Sequence, residues 1–284
     1  FLIALVLFVA KANAQRADSV ALEEVVILQE RMPLKLSESG RQIVIITSKE
    51  IKELNAVSVN EVLSFVNGVD LRQRGPMGVQ ADVGIRGGSF DQTLILINGM
   101  KVTDPQTGHH ALNLPIPVEN IDRIEVIKGP ASRLYGPNAY SGAINIVTKP
   151  GIDREVVINA LYGQKNLHSA NVTVNLPGKK VKQSLSLAAS GSDSFVYNTD
   201  FKIRNAMYQA LASLKDWDID FIASANTKKF GANNFYTSAF PDQYEETETY
   251  FAGATASKNL TDNFKLVARI YGRQHNDRFL LKRE

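Results

Sequence analysis

The segment Ile121–Lys149, IDRIEVIKGPASRLYGPNAYSGAINIVTK, reads as strand, tight turn, short helix, second turn and second strand. Ile121, Ile124, Val126 and Ile127 are interrupted by Asp122, Arg123 and Glu125, the pattern of a strand covered on one face and partly solvated on the other. Gly129-Pro130 ends that strand. Pro130 has a preset φ and no N–H to lose, which places it in the first turn of a helix from Ala131 to Tyr135, stopped by Gly136-Pro137. Gly142 to Thr148, GAINIVT, follows as a small-headed, β-branched strand.

Upstream, Ile43 to Ile46 is a strong strand signal, and TSKE (Thr47 to Glu50) is a capping box opening a short helix through Leu54. A second box, Ser58 to Glu61, opens another helix whose Val59, Val62, Leu63 and Val66 form one apolar stripe, with Asn67-Gly68 as its C-cap. Arg72 to Asp82 reads as a Gly/Pro-punctuated loop, Thr93 to Ile97 as a strand ending in the hairpin-type Asn98-Gly99 turn, and Thr103 to Pro117 as a second long loop.

From Arg154 the texture changes to two-residue alternation. About seven candidate strands follow, among them Glu155 to Tyr162 and segments centred on Val172, Leu187, Phe221 and Leu266, with an eighth begun at Arg278 to Leu281. Alternation also fits a soluble sandwich. The links between strands alternate in length: Pro177–Lys182, Lys215-Asp216 and Lys258–Asn263 are tight, whereas Gly191–Arg204 and Lys228–Glu246 are long, polar and aromatic, and only the first on the long side, Gly163–Asn166, is short. Short turns at one rim and long loops at the other are what an up-and-down outer-membrane barrel requires.

The 284 residues exceed a usual single domain, so two units are expected. A net charge of +3 without a basic block or aromatic-interleaved basic face makes nucleic acid a poor partner. The absence of cysteine excludes thiol catalysis, disulfides and Cys-ligated zinc. FLIALVLFVA is too short to span a bilayer as a helix, and Ala12-Asn13-Ala14 has the small-x-small form of a signal-peptidase site. Residues 1–14 are therefore expected to be an incomplete signal peptide, although a buried N-terminal strand or helix also fits. No G-x-S-x-G, H-E-x-x-H, P-loop or G-x-G-x-x-G motif occurs, and no enzyme activity is expected.

IEVIKGPASRLYGPNAYSGAINIVTK resembles the end of the plug domain in TonB-dependent outer-membrane receptors, with Ser141 where a first glycine is usual; IRGGSFDQTLILINGMKV is similar to an earlier part of the same domain. The resemblance implies an α+β plug domain over residues 41–149, after an N-terminal extension at 15–40. It further implies that residues 150–284 begin an antiparallel transmembrane β-barrel, of 22 strands in the family, so that the chain looks truncated to about seven or eight. It implies a multi-pass protein of the cell outer membrane, embedded in its lipid, that actively takes up a ferric siderophore, cobalamin or haem into the periplasm. A passive channel or adhesin, or a soluble periplasmic all-β enzyme, remains the alternative.

The partner implied is the energy-transducing protein TonB, which would add a strand at Glu23, Glu24, Val25, Val26, Ile27 and Leu28; that segment also reads as an ordinary first strand. No intervening β-sandwich extension precedes the plug, unlike the oligosaccharide-importing branch, which favours a metal-chelate or cobalamin ligand. Arg72, Arg74 and Gln80 in the first long loop, His109 and His110 in the second, and Tyr197, Phe235 and Tyr236 in the barrel loops are the candidate ligand contacts. Guanidinium groups suit an anionic or carboxylate-bearing ligand, and aromatics in a concavity suit one the size of a chelate. The two adjacent histidines also read as surface loop residues. No cofactor is expected, with Asp193 and Asp200 as possible oxygen donors to Ca²⁺.

Overall fold

The computed structural model describes residues 26–27, 34–35, 42–148, 150–151, 153–261 and 264–283. The expected signal peptide and Glu23, Glu24, Val25 and Leu28 lie outside the described residues. Val26–Ile27 (β1) pairs antiparallel with Leu34–Lys35 (β2).

The body that follows is built around a mixed five-stranded sheet. Its strands are β3 (Gln42–Thr47), β6 (Thr93–Ile97), β7 (Met100–Val102), β8 (Ile121–Lys128) and β9 (Gly142–Thr148), in the order β3-β8-β9-β6-β7. Only the β6–β9 pair is parallel. Two capped helices cover one face. Thr47 caps α1 (Ser48–Glu53) in a full capping box, and the hydrogen bond from its backbone holds the Glu50 carboxyl below its usual value. At α2 (Val59–Ser64) the Ser58 hydroxyl accepts from the Glu61 amide, but the Glu61 carboxylate takes the amide of Val57, so the second expected box closes one residue early. The predicted stripe Val59, Val62, Leu63 and Val66 is buried against Ile95, Ile97, Ile124, Val126, Ile144 and Ile146.

On the opposite face α3 (Ser132–Tyr135) packs Tyr135 with Leu94, Leu96, Ile127 and Ala143. Ala131 is its N-cap rather than its first residue, which leaves Pro130 outside the helix. Coverage on both faces corrects the expectation that Ile121–Lys128 is half solvated. Glu125 is fully buried, its carboxylate accepting from Arg123 Nε and Asn145 Nδ2, each at 2.9 Å. Asn145 in turn accepts from the amide of Gly99 at 2.9 Å, which pins the β6–β7 turn. That turn has φ +49° at Asn98 and +75° at Gly99, the left-handed geometry the dipeptide favours. Gly142 is needed for proximity: a Cβ there would stand 2.4 Å from the Ile127 carbonyl oxygen.

The expected loop from Arg72 to Asp82 is mostly a hairpin. β4 (Val69–Arg74) pairs with β5 (Gln80–Ile85), leaving only residues 75–79 irregular, because its charged positions disguise a strand whose partner face is buried.

Seven antiparallel strands follow in sequence order: β10 (Glu155–Tyr162), β11 (His168–Leu176), β12 (Val181–Ser192), β13 (Phe201–Leu214), β14 (Trp217–Gly231), β15 (Tyr244–Thr261) and β16 (Phe264–Leu280). The expected tight links Pro177–Lys182 and Lys215-Asp216 hold the connections at residues 177–180 and 215–216, whereas β15 runs on to Thr261 through most of the expected link Lys258–Asn263. The long loops shrink to residues 193–200 and 232–243, because their flanks continue the strands. Arg278–Leu280, expected to begin an eighth strand, ends β16 by pairing with Tyr244–Glu246.

Polarity distinguishes the two faces of this sheet. The inner face, packed on the first body, buries Asn171, Thr173, Asn175, Ser184, Ser186, Gln209, Asn226, Lys228, Glu245, Thr247 and Thr249. The outer face exposes Val156, Ile158, Val172, Leu185, Leu187, Phe221 and Ile270. Register runs these outward residues into continuous apolar rows, such as Ile158, Val172, Leu187, Ala206, Ala225 and Tyr250. A sheet of a water-soluble sandwich has the reverse arrangement. Among the described residues no helix is long and apolar enough to cross a membrane.

Candidate functional site at the loop end of the sheet

Residues 75–79, the 103–117 loop and the 232–243 loop meet at the end of the sheet that carries the long connections. Arg74 organises the contact. Its Nη1 donates to Asp82 Oδ2 at 2.6 Å, its Nε donates to the carbonyl of Phe235 at 3.0 Å, and its guanidinium lies 5.7 Å from the Tyr236 ring centroid. The other oxygen of Asp82 is 2.8 Å from His109 Nδ1, and the His109 ring lies 4.4 Å from Phe90 and 6.4 Å from Tyr236. The Tyr236 hydroxyl donates to Glu245 Oε2 at 2.8 Å and stands 3.1 Å from the side-chain amide of Gln80. Phe235 rests on Gly75, where a Cβ would come within 2.6 Å of its ring.

A second set lies deeper. Lys228 Nζ donates to the carbonyls of Gly78 and Val79 and to Asn113 Oδ1, at 2.9, 3.0 and 2.9 Å. His110 turns away from His109: its Nε2 is 3.4 Å from Glu245, its Nδ1 is 3.1 Å from Asn113 Nδ2, and its ring lies 4.7 Å from that of His275. Burial lowers the His110 pKa, against the pull of Asp104 and Asp277. Arg273 donates to the carbonyls of Thr103 and His110, each at 2.9 Å. Burial works against the Asp104 carboxylate, but hydrogen bonds from the Thr107 hydroxyl and the His110 and Gln106 amides outweigh it and hold the pKa low.

The structure thus brings together Arg74, Gln80, His109, Phe235 and Tyr236, with His110 behind them. His110 is buried, which corrects its reading as a surface loop residue. Arg72 stands apart: its side chain is exposed, with only a 3.8 Å pairing to Asp70. Arg86 donates to Gln42 at the start of β3. Tyr197 lies in the 193–200 loop, where its exposed hydroxyl donates to Asp242 at 2.6 Å, a bond that raises the phenol pKa. The Asp200 carboxylate is taken up by Arg283, and the Asp193 amide donates to the Lys165 carbonyl. Among the described residues no three His, Asp or Glu side chains are arranged to hold a metal ion. Sequence reasoning passed over Asp82, Phe90, Lys228, Glu245 and His275. For Lys228, Glu245 and His275 the signal was register, since they occupy inner-face positions of their strands.

Arg74, Asp82 and His109 present two cationic-capable groups around one carboxylate, beside an aromatic wall of Phe90, Phe235 and Tyr236. Such a surface offers hydrogen bonding and stacking to a partner.

The model of the TonB-dependent receptor plug domain matches residues 35–143. A vitamin B12 transporter BtuB of Vibrio cholerae serotype O1 is 27% identical over 240 residues, covering 84% of this chain and 36% of the transporter. One from Vibrio vulnificus strain CMCP6 is 36% identical over 126 residues, 44% of this chain and 20% of that protein. The chain therefore spans about a third or less of the length of these relatives. Among solved structures, the pyoverdine outer membrane receptor FpvA from Pseudomonas aeruginosa PAO1 superposes with a TM-score of 0.74 at 16% identity, over 88% of this chain and 39% of that one. With the plug sequence and these likenesses in agreement, residues 35–143 are a TonB-dependent receptor plug domain, in a chain that shares the fold of solved outer-membrane receptors.

Proposed function

We propose that the chain is part of an outer-membrane receptor that binds a scarce cobalamin or ferric siderophore outside the cell and passes it to the periplasm at the expense of energy delivered by TonB. The observation that carries this reading is the inverted sheet. Its outer face is apolar between two aromatic rims, Trp217 and Phe264 near the tight turns and Tyr162 and Tyr250 toward the long loops. Tyr250 pairs with Ala225, and Trp217 to Ala225 spans about 27 Å along the strand, about 21 Å in height at a tilt of about 40°, near the apolar band of about 25 Å that outer-membrane barrels present to lipid.

Transport of this kind makes and breaks no covalent bond. It needs a site that favours one conformation when ligand is bound, and a handle by which energy reaches the plug. The Arg74–Asp82–His109 cluster supplies the first. Val26–Ile27 within EEVVIL supplies the second, as an extended, β-prone segment able to add to a partner sheet. The BtuB relatives support cobalamin, and the siderophore receptors share the fold.

The test is equilibrium binding of cyanocobalamin, haem and ferric siderophores to the full-length receptor in parallel, together with uptake by cells. Val26→Pro should abolish uptake of the ligand that binds while leaving its affinity unchanged. Undiminished uptake in that variant overturns the energised mechanism in favour of a passive channel.

A further inference from the structure

The plug does not meet its wall evenly. Toward β13–β16 it is anchored by side chains: Gln209 donates to the Thr148 carbonyl at 3.2 Å, Asn98 donates to Asp220 at 3.3 Å, and Lys228 and Arg273 reach the apical loops as described. Met207, Ile222 and Phe251 from this wall also enter the plug's own core. Toward β10–β12 the contact is of another kind. Among the described residues no hydrogen bond or ion pair joins these three strands to residues 42–148.

A crevice lies there instead. Its wide part, about 730 Å³, runs between α1 with Val118–Asp122 on the plug and Val157, Asn159, Thr173 and Asn175 on the wall. Its narrow part, about 80 Å³, continues past Val57 and Asn60 to Gly78 and Lys228 under the apical loop. The two share Val57, Val118, Glu119, Ser169 and Asn171, so they form one passage. Two amides facing it are almost fully buried and incompletely bonded: Asn171 Nδ2 and Asn226 Oδ1 have no partner, with 3% and 2% of each residue exposed. Buried amide groups left this way in a cavity large enough for water call for a solvent or solute partner.

Taking the receptor reading as its basis, we infer that the plug parts from the barrel along β10–β12, and that this crevice takes water at rest and the hydrophilic ligand in transit. Separating the anchored side breaks direct hydrogen bonds and opens a shared apolar core. Separating the crevice side exchanges one set of water contacts for another, which costs much less. The lining mixes Asn and Ser side chains with charges of both signs, Lys52 and Lys228 against Glu119, Asp122 and Glu155, and so offers donors and acceptors to a hydrogen-bonding solute without a field of one sign.

The described chain contains no cysteine, so single thiols report cleanly. Ser169→Cys places one in the crevice and Ser224→Cys places one on the inner face of the anchored wall, both nearly isosteric. In a full-length receptor otherwise free of cysteine, a small charged methanethiosulfonate reagent should label position 169 at least tenfold faster than 224. TonB engagement in energised cells should raise the rate at 169 further and leave 224 unchanged. A bulky maleimide at 169 should cut uptake of radiolabelled cyanocobalamin, or of whichever tested chelate binds, at least fivefold without changing its affinity. Equal labelling of the two sites, a TonB-dependent rise at 224 alone, or undiminished uptake with 169 blocked would each overturn the sidedness. If uptake is lost in Val26→Pro while 169 and 224 label alike, the sidedness falls and the receptor reading stands.

Discussion

The ammonium of Lys228, on the barrel wall, lies 2.9 Å from Asn113 Oδ1 on the plug, and the two residues are 115 positions apart in sequence. The same nitrogen holds the carbonyls of Gly78 and Val79, so a single side chain fixes both apical plug loops. Lys228→Met keeps the aliphatic stem and removes all three donors, stranding three acceptors in a buried site. Charge-assisted bonds to buried groups are worth about 1.5–3 kcal/mol each and do not add fully, so a loss of about 3 kcal/mol in plug docking is expected. Limited proteolysis should then cut within residues 75–79 faster than in wild type.

The two arginines proposed from sequence have different environments, and ligand affinity should separate them. Arg74 is tied to Asp82, Phe235 and Tyr236, whereas Arg72 is exposed beside Asp70. Arg74→Ala should weaken binding of the ligand at least tenfold, by isothermal titration, because it frees Asp82 and releases the 232–243 loop. Arg72→Ala should change it less than twofold, as expected for an exposed pair.

Ser141 replaces a small residue with another small residue, and the structure explains how it fits. Its hydroxyl donates to the Gln92 carbonyl at 2.9 Å and lies 3.0 Å from Thr93 Oγ1, while a Cβ on Gly88 would stand 2.4 Å from the Ser141 Cβ. Ser141→Gly should cost about 1 kcal/mol from the lost hydrogen bonding. Gly88→Ala should be more damaging in wild type than in the Ser141→Gly background. Thermal unfolding across the four-member cycle measures that coupling.

Acidification should loosen the apical contact through His110. Burial puts its folded pKa below the unfolded value of 6.5, so the native state binds fewer protons than the unfolded state below that pH. The stability contribution is therefore complete above pH 6.5 and is lost as pH falls toward the folded value. Asp104 and Asp277 favour the proton, Lys228 and Arg273 oppose it, and Glu245 and His275 complete the surroundings. His110→Gln should flatten the fall in melting temperature below pH 6.5, and an unchanged slope would assign that fall to other groups.

Much of the plug was legible because its elements carry local signals. The Thr47 capping box, the Asn98-Gly99 turn and the Gly142–Thr148 strand need only neighbouring residues to be recognised. The half-solvated reading of Ile121–Lys128 failed because Glu125 looks like a surface residue until Arg123 and Asn145 are seen to bury it. The site was half legible for the same reason. Arg74, His109 and Tyr236 lie in or beside conspicuous loops, but Asp82, Lys228 and Glu245 sit in strands whose polar positions face inward. Local pattern assigns such positions to solvent, and only the apposition of plug and wall reverses the assignment.

The length of β15 has one more consequence. Tyr244–Thr261 extends about 60 Å, which at a tilt of about 40° stands about 45 Å tall, against an apolar band of about 25 Å. Beyond Tyr250 its outward residues are Glu248 and Glu246, the latter bridged to Lys229 at 3.1 Å, so the surplus rises on the loop side into water. In the proposed receptor these strands form a hydrogen-bonded collar above the headgroups, and Arg74, bonded to Phe235 in the loop that caps them, would meet a ligand at the upper end of that collar, well clear of the bilayer.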